Sequence, residues 1–494
     1  MPRRPFYAAT EPVFPDNFSA QKYPITKTGL ASPADVNGLQ LWLRSDPISG
    51  LFTDAALTTA AADTDEVLGW EDQSGNGRHV TDAAAGPHLA DTALPAQPNG
   101  RATLDFVAAT VEKLAAAAAA PYKFLHDGSG CTGFVAYKQT DENIGVLLDT
   151  GGYGGASGTG VMLYGDDSST TEGRLALVVQ KGTGTPIVNL LAGATVNGYP
   201  AGAWHIARFS YIEGGAPTEA QLFGDGCFHV GANSGAAPSA SDPSGPLTIG
   251  LDIDGVLTNA LAFDGSIAEV ILFNRVLAQA ESRQIENYLS VRWGVAVGNV
   301  ALLGDSIIAG SAVTRIPATV VANRLGPMWR ATNFGVSGAR IDNGGTDVND
   351  AQWLHTTAGA RRRGYNFIVV AAGINDVRND QSAATNLAEL ETIYNSVLAD
   401  PNNRLVCCTL TPFKGDSAYN ADREVERLAT NVGIRRYAVE HGVGVVDLAT
   451  LLADPADAAA MHPLLTLDNL HPNQAGSDLM ATAIADKLLG VGLD

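Results

Sequence analysis

The sequence predicts a fold in two unlike parts. An all-β sandwich or jelly roll spans residues 31–297, and an α/β unit built on a parallel sheet spans 298–494. Three observations predict this. The chain is 494 residues long, about three times an ordinary single domain. Up to about residue 297 it reads as short apolar runs broken by Gly, Asp, Asn and Pro turns, the rhythm of an antiparallel sandwich. Beyond 298 the rhythm changes to alternating strand and helix, which indicates a parallel sheet covered on both faces.

In chain order, residues 1 to about 30 carry Pro and aromatics without periodicity (Pro5-Phe6-Tyr7, Pro12-Val13-Phe14-Pro15). They read as an irregular arm that docks on its own body or on a neighbour. Strands follow at Gly38–Leu43, Ala102–Phe106, Thr132–Tyr137 and Ala268–Phe273. The run Ala115–Ala120 favours helix by propensity, but Pro121 limits it to a turn or two. A helix is expected over 278–293, with Ile285, Tyr288, Leu289 and Trp293 on one face and Gly294 as its C-cap. In the second part, strands are expected at 299–303, 331–335, 366–372, 404–411 and 443–447. Helices are expected at 315–329, 383–399, 419–440 and 474–489.

The formal net charge is −21, from 52 acidic and 31 basic residues. Such a chain is a poor nucleic-acid or anionic-membrane partner, because that binding needs clustered Lys and Arg. The run Arg361-Arg362-Arg363 is too short to change this. The longest apolar runs, such as Phe367–Ala372, are strand-length, so no membrane insertion is expected. Met1-Pro2-Arg3-Arg4 is basic but no apolar h-region follows, so no signal peptide is expected. Four cysteines make no disulfide framework. Cys407 and Cys408 read as core residues of a strand, and pairing of Cys131 with Cys227 stays open. Gly151–Gly160 lacks the Lys and Ser/Thr of a phosphate loop. No His/Cys cluster has zinc spacing, and Asp252-Ile253-Asp254-Gly255 is better read as a turn than a Ca²⁺ loop. No cofactor or metal is expected.

Four short motifs carry chemistry. Leu302-Leu303-Gly304-Asp305-Ser306 runs an apolar strand into a hydroxyl; by itself Gly-Asp-Ser is also an ordinary turn or N-cap. Asn333-Phe334-Gly335-Val336-Ser337-Gly338 ends the next strand with small residues that leave backbone N–H groups open. Ala371-Ala372-Gly373-Ile374-Asn375-Asp376 ends the third with a side-chain amide. Asp468-Asn469-Leu470-His471 places a carboxylate three residues before an imidazole, ahead of the last helix. In parallel sheets the ligand site lies beyond the carboxyl ends of the strands, where the first three of these motifs fall.

With these four blocks in this order, residues 298–494 resemble the SGNH hydrolases of the GDSL esterase/lipase superfamily. The resemblance implies a flavodoxin-like α/β/α fold and metal-free ester hydrolysis by a serine. Ser306 would be the nucleophile, His471 its base, and Asp468 the group that holds the imidazole. The family pattern assigns the oxyanion donors to the N–H of Ser306, the N–H of Gly338 and the side-chain amide of Asn375. Asp305 and Asp376 are expected to structure their turns. Arg340 stands where relatives often carry an acidic or polar residue, and either meets an anionic substrate or pairs with a nearby acid. The long connection 341–366, with Trp353 and His355, is a candidate substrate-binding lip.

The first part is similar to laminin-G/concanavalin-like jelly rolls. The similarity is carried by Gly38–Leu43, Trp70–Arg78, Asn99–Phe106 and Ile267–Arg275 with the helix after it. Such domains commonly bind carbohydrate, while Trp42 and Trp70 read as core. Together the two resemblances imply an esterase acting on carbohydrate esters, removing O-acetyl groups from a polysaccharide or glycan. Two alternatives stand beside it. One is a virion or surface-appendage glycan-binding protein, assembled through the arm or as a homo-oligomer, with an accessory or inactive esterase. The other is a lipid or aryl esterase.

Overall fold

The structure is a computed structural model and describes residues 32–90, 100–140, 144–151, 158–166, 174–181, 188–192, 202–215, 219–232, 237–253, 261–311, 313–326, 329–341, 365, 367–399 and 403–490. The arm expected over 1–30 lies outside the described residues.

Up to residue 273 the described strands form two antiparallel sheets. One runs in the order Cys227–Ala232, Ala220–Gly224, His205–Tyr211, Cys131–Gln139, Gly265–Phe273, Thr103–Phe106, His88–Ala90, with Leu39–Arg44 also paired to Gly265–Phe273. The other runs from Val188–Ala192 through Arg174–Lys181, Thr159–Asp166, Gly145–Asp149, Thr248–Ile249, Leu114–Ala116, Val80–Thr81 and Gly69–Trp70 to Leu51–Phe52. The two sheets share one core, in which Val135, Tyr137, Phe209, Val270 and Leu272 meet Trp70, Leu148, Leu163 and Leu177. Alternate residues of the first sheet, Phe134, Ala136, Ile271 and Phe273, point the other way. They pack on Ile285, Leu289 and Trp293 of the helix Gln279–Trp293. That helix covers the outer face of Gly265–Phe273, so the strand is buried along its whole length. Gly294 caps it at φ 69°, donating to Ser290 O.

One buried carboxylate joins these layers. A register shift between Ile267 and Glu269 marks a bulge that turns Glu269 onto the helix-covered face. There it is fully buried and accepts from Trp42 Nε1 at 2.5 Å, Trp293 Nε1 at 2.7 Å and Tyr288 Oη at 2.9 Å. Burial raises its pKa, and the donors and Arg292 work against that rise. Trp42 and Trp70 are core residues here. Cys131 is a buried free thiol near Leu125 O, which answers the question of its pairing; the Cys227 side chain lies outside the described residues. Cys407 and Cys408 are buried and free.

The alanine run corrects the expectation of a helical turn. Leu114–Ala116 is a strand, with Leu114 and Ala116 facing inward, and a 3-10 helix begins only at Ala120. Partnering by the neighbouring strands Thr248–Ile249 and Val80–Thr81 overrides propensity, and Pro121 suits the first turn of the short helix rather than ending one.

Beyond residue 297, five parallel strands lie in the order Trp329–Gly335, Gly298–Gly304, Phe367–Ala371, Arg404–Cys408, Gly444–Val446. The helices Pro317–Leu325 and Gln474–Leu489 pack on each other, as do Ala383–Leu398 and Ala421–His441. Short helices follow the first and third strands at Ser306–Ala309 and Ile374–Arg378, and a hairpin forms at Ala453–Asp454 and Asp457–Met461. Periodicity does not reveal pieces this short.

The two parts meet through a hairpin turn. Asp225 adopts a left-handed φ of 48°, and its buried carboxylate receives Ile206 N at 2.8 Å and Arg330 Nη1 at 2.9 Å, with His205 Nδ1 at 2.8 Å. Its carbonyl accepts from Asn299 Nδ2 at 3.0 Å. Arg330 and Asn299 belong to the parallel sheet. Next to it, a Cβ on Gly226 would sit 2.0 Å from Val297 O, so only glycine fits there.

Replacing Glu269 by Ala strands three buried donors. We expect a loss on the order of 3–5 kcal/mol, read as a fall in the denaturant midpoint of unfolding. A loss under about 1 kcal/mol would contradict the role given to this carboxylate.

Candidate active site

The first parallel strand pairs in register on both sides: Gly304 lies opposite Gly335 and opposite Ala371. The residues just past these three positions therefore leave the sheet at the same end. They are Asp305-Ser306, Val336-Ser337-Gly338 and Ala372-Gly373-Ile374-Asn375. Gly304 is required by this closeness, because a Cβ there would meet Ala371 O at 2.4 Å. Asp305 caps the short helix by accepting from Ile307 N at 2.9 Å, which turns Ser306 out of the strand direction.

Ser306 is 8% exposed, and its Oγ lies 2.8 Å from His471 Nε2. On the other side of the imidazole, Nδ1 lies 2.7 Å from Asp468 Oδ2. The loop fixes this pair by its own backbone. Asp468 Oδ1 accepts from His471 N at 2.7 Å and from Leu470 N at 3.1 Å. Asn469 takes a left-handed φ of 69°, a conformation asparagine tolerates better than most residues. Asn473 then starts the last helix by accepting from Gly476 N. Burial acts to raise the Asp468 pKa, yet the hydrogen bonds and charge it receives from His471 and Leu470 hold it below the usual carboxylate range.

The three donors of the family pattern lie on Ser306 itself and on the two turns that leave the sheet beside it. Among the described residues, neither the Ser306 N–H nor the Gly338 N–H is bonded elsewhere. Gly338 has φ 81°, and the space where its Cβ would project is open. Asn375 donates from Nδ2 to Ala339 O at 2.9 Å. A hydrogen bond of 2.9 Å between Ser311 Oγ and Ser337 Oγ ties the first two turns together.

Two buried acids underlie these turns. Burial, reinforced by the neighbouring Asp376, pushes Asp305 up to about 7 against the Ile307 N–H and His471. Burial also raises Asp376, opposed by the Ile341 N–H and by Arg340. Arg340 Nε sits 3.2 Å from Asp376 Oδ1, and its Nη2 donates to Gln381 Oε1 at 2.5 Å. Arg340 thus pairs with a nearby acid, as one of its two expected roles has it, while its side chain stays 29% exposed. Trp353 and His355 lie outside the described residues.

Two features escaped the sequence reading. Arg378 reaches Asn375 Oδ1 at 3.2 Å while its Nε donates to Asp416 Oδ1 at 3.0 Å; the signal was an arginine one helical turn after the asparagine. Leu464 and Leu467 are 75% and 57% exposed on the loop that leads into Asp468. The signal for it was the leucine-rich run Leu464–Leu470. Among the described residues, no group of three or more His, Cys, Asp or Glu side chains is arranged to hold a metal ion. No helix among them is long and apolar enough to cross a membrane.

The raised Asp305 has a measurable consequence. Between its ordinary value of 3.8 and about 7, the native state keeps a proton that the unfolded chain has lost. Stability from this group is thus complete below 3.8 and falls as pH rises towards 7. Asp305→Asn keeps the cap and removes the titration. The variant's melting temperature relative to the parent is expected to climb steadily between about pH 4 and 7. A constant difference across that range would refute the assignment.

Residues 302–479 match the model of the GDSL-like Lipase/Acylhydrolase family. No curated protein sequence matches the chain. Similar solved structures include Est24, a carbohydrate acetylesterase from Sinorhizobium meliloti, at 14% identity and a TM-score of 0.33, covering 39% of this chain and 99% of that one. An aryl esterase from M. smegmatis is 15% identical with a TM-score of 0.33, covering 40% and 100%. A lipolytic protein of the G-D-S-L family from Veillonella parvula is 20% identical with a TM-score of 0.31, covering 38% and 96%. The C-terminal part of this chain, over residues 302–479, is a GDSL-like lipase/acylhydrolase domain.

Proposed function

We propose that the protein is a serine esterase acting on carbohydrate esters, removing O-acetyl groups from a polysaccharide through an acyl-enzyme. The observation that carries the hydrolytic part is the unbroken line from Ser306 Oγ through the His471 ring to Asp468. A serine hydroxyl is a weak nucleophile until a base takes its proton. In this reading Ser306 Oγ attacks the ester carbonyl and its proton passes to His471 Nε2. Asp468 steadies the imidazolium. The N–H groups of Ser306 and Gly338 and the Asn375 amide receive the developing oxyanion. Collapse expels the sugar alcohol, which takes the proton from His471. Water, deprotonated by the same ring, then attacks the acyl-serine; collapse breaks the acyl–Oγ bond, frees the acetyl group as acetic acid and returns the ring's proton to Ser306 Oγ.

The carbohydrate part rests on the first half of the chain. Two antiparallel sheets over a shared core, with the sequence similarity to concanavalin-like jelly rolls, support reading residues 31–297 as a sugar-holding domain and 298–494 as the catalytic one. The exposed Leu464 and Leu467 beside the Asp468–His471 loop favour a second reading, an ester with an apolar acyl or aryl group.

The test is acetate release from a panel of O-acetylated polysaccharides, alongside a short-chain aryl acetate, by the parent and by Ser306→Ala. The parent is expected to release acetate from at least one polymer, and Ser306→Ala to lose activity by several orders of magnitude. Cleavage of the aryl ester alone would replace the carbohydrate assignment with the apolar one. Near-normal turnover by Ser306→Ala would end the serine mechanism.

A further inference from the structure

We propose that Arg378 is a positioning residue for the Asn375 amide, and that Asp416 is its anchor. The inference rests on the serine-esterase reading, in which Asn375 supplies an oxyanion donor.

A carboxamide has two nearly isosteric ends, and only its partners decide which one faces the substrate. At Asn375 both partners are fixed. Oδ1 accepts from Arg378 Nη1 at 3.2 Å, and Nδ2 donates to Ala339 O at 2.9 Å. Flipping the amide would set its NH₂ against a guanidinium and its carbonyl against a carbonyl, so two hydrogen bonds would become two repulsions. Held this way round, the amide spends one N–H on Ala339 and keeps its second without a partner among the described residues. Ala339 directly follows Gly338, so the bond that orients the amide also ties it to the turn carrying another donor.

Arg378 is itself held. Its Nε and Nη2 meet Asp416 Oδ1 and Oδ2 at 3.0 and 3.3 Å, the two-pronged geometry that guanidinium and carboxylate share. Asp416 is fixed in turn by accepting from Ala418 N at 2.9 Å and by donating from its own N–H to Phe413 O at 3.0 Å. Because Asp416 neutralises the guanidinium, Arg378 adds little net charge near the serine. Its effect is orientation of a donor, for which a planar fork matters and a bare positive charge does not.

This separates Arg378 from a residue that only holds the fold. Steady-state hydrolysis of the aryl acetate is measured for the parent, Arg378→Met, Arg378→Lys, Asp416→Asn, Asn375→Ala and the double variant Arg378→Met/Asn375→Ala, each checked for its melting temperature. Arg378→Met is expected to lower kcat by about ten- to a hundredfold with KM changed less than about threefold. That is below the roughly 10²–10³ lost when an oxyanion donor is removed outright. Arg378→Lys is expected not to restore the rate, and Asp416→Asn to lower it in the same direction. In the Asn375→Ala background, Arg378→Met is expected to have no further effect, since it acts through that amide.

Full multiplication of the two losses, recovery by lysine, or a parental kcat in Arg378→Met would overturn the proposal. If Arg378→Met does not fold, a parental kcat in Asp416→Asn overturns it. Ser306→Ala separates the two levels. An inert Ser306→Ala beside a fully active Arg378→Met removes only this inference, whereas an active Ser306→Ala, or a parent without esterase activity, removes the reading beneath it.

Discussion

The order of the five parallel strands is the constraint from which the rest of the site follows. The first strand, Gly298–Gly304, lies between the second and the third, so the chain leaves it towards one side and later returns on the other. In open sheets of this order the ligand site lies at the carboxyl end of that strand. Ser306 stands at that end because it comes two residues after the strand ends. The turns carrying Gly338 and Asn375 flank it because their strands pair with Gly304 in register. His471 arrives from 165 residues further on, carried by a loop whose shape comes from its own Asp468 and Asn469. Topology therefore places three elements of the site, and local backbone geometry places the fourth.

The ground under the serine is unusually acidic. Asp305 and Asp376 are both nearly inaccessible, and their proximity raises the energy of ionising either one. Arg340 and two backbone N–H groups offset this. Asp305 remains useful as a cap that turns Ser306 out of the strand. Buried charge here serves the geometry of two tight turns that no apolar side chain would hold.

Much of this was legible in the sequence because it depends on repetition. Strands covered on both faces are apolar along most of their length, so 299–303 and 366–372 stood out, and the helix ending at Trp293 announced its buried face and its glycine cap. The blocks around Ser306, Gly338 and Asn375 were legible because each pairs a small or polar residue with the end of a strand, and the His471 block because a carboxylate stands three residues before an imidazole ahead of the last helix. What stayed hidden depends on single contacts between distant residues. Glu269 gave no sign that a bulge would turn it towards two tryptophans and a tyrosine. Leu114–Ala116 became strand because neighbours from elsewhere in the chain bond to it. Arg340 carries a charge whose partner, Asp376, was visible, but only the fold decides whether an arginine faces its own turn or the solvent.

The turn at Asp225 and Gly226 bears on how the two parts work together. Val295 and Val297 of the short connection into the parallel sheet are buried, and Asp225 grips both Asn299 and Arg330. This is a weld, whereas many two-part proteins rely on a swinging tether. With a flexible tether, the effective concentration of a ligand held on one part, as felt by the other, is set by linker length. With a weld, it is set by shape alone. On the proposed carbohydrate reading, a polymer long enough to reach Ser306 from the first part would be presented at high effective concentration, and one too short to span the gap would gain nothing. Chain length would then govern selection as strongly as the chemistry of the ester.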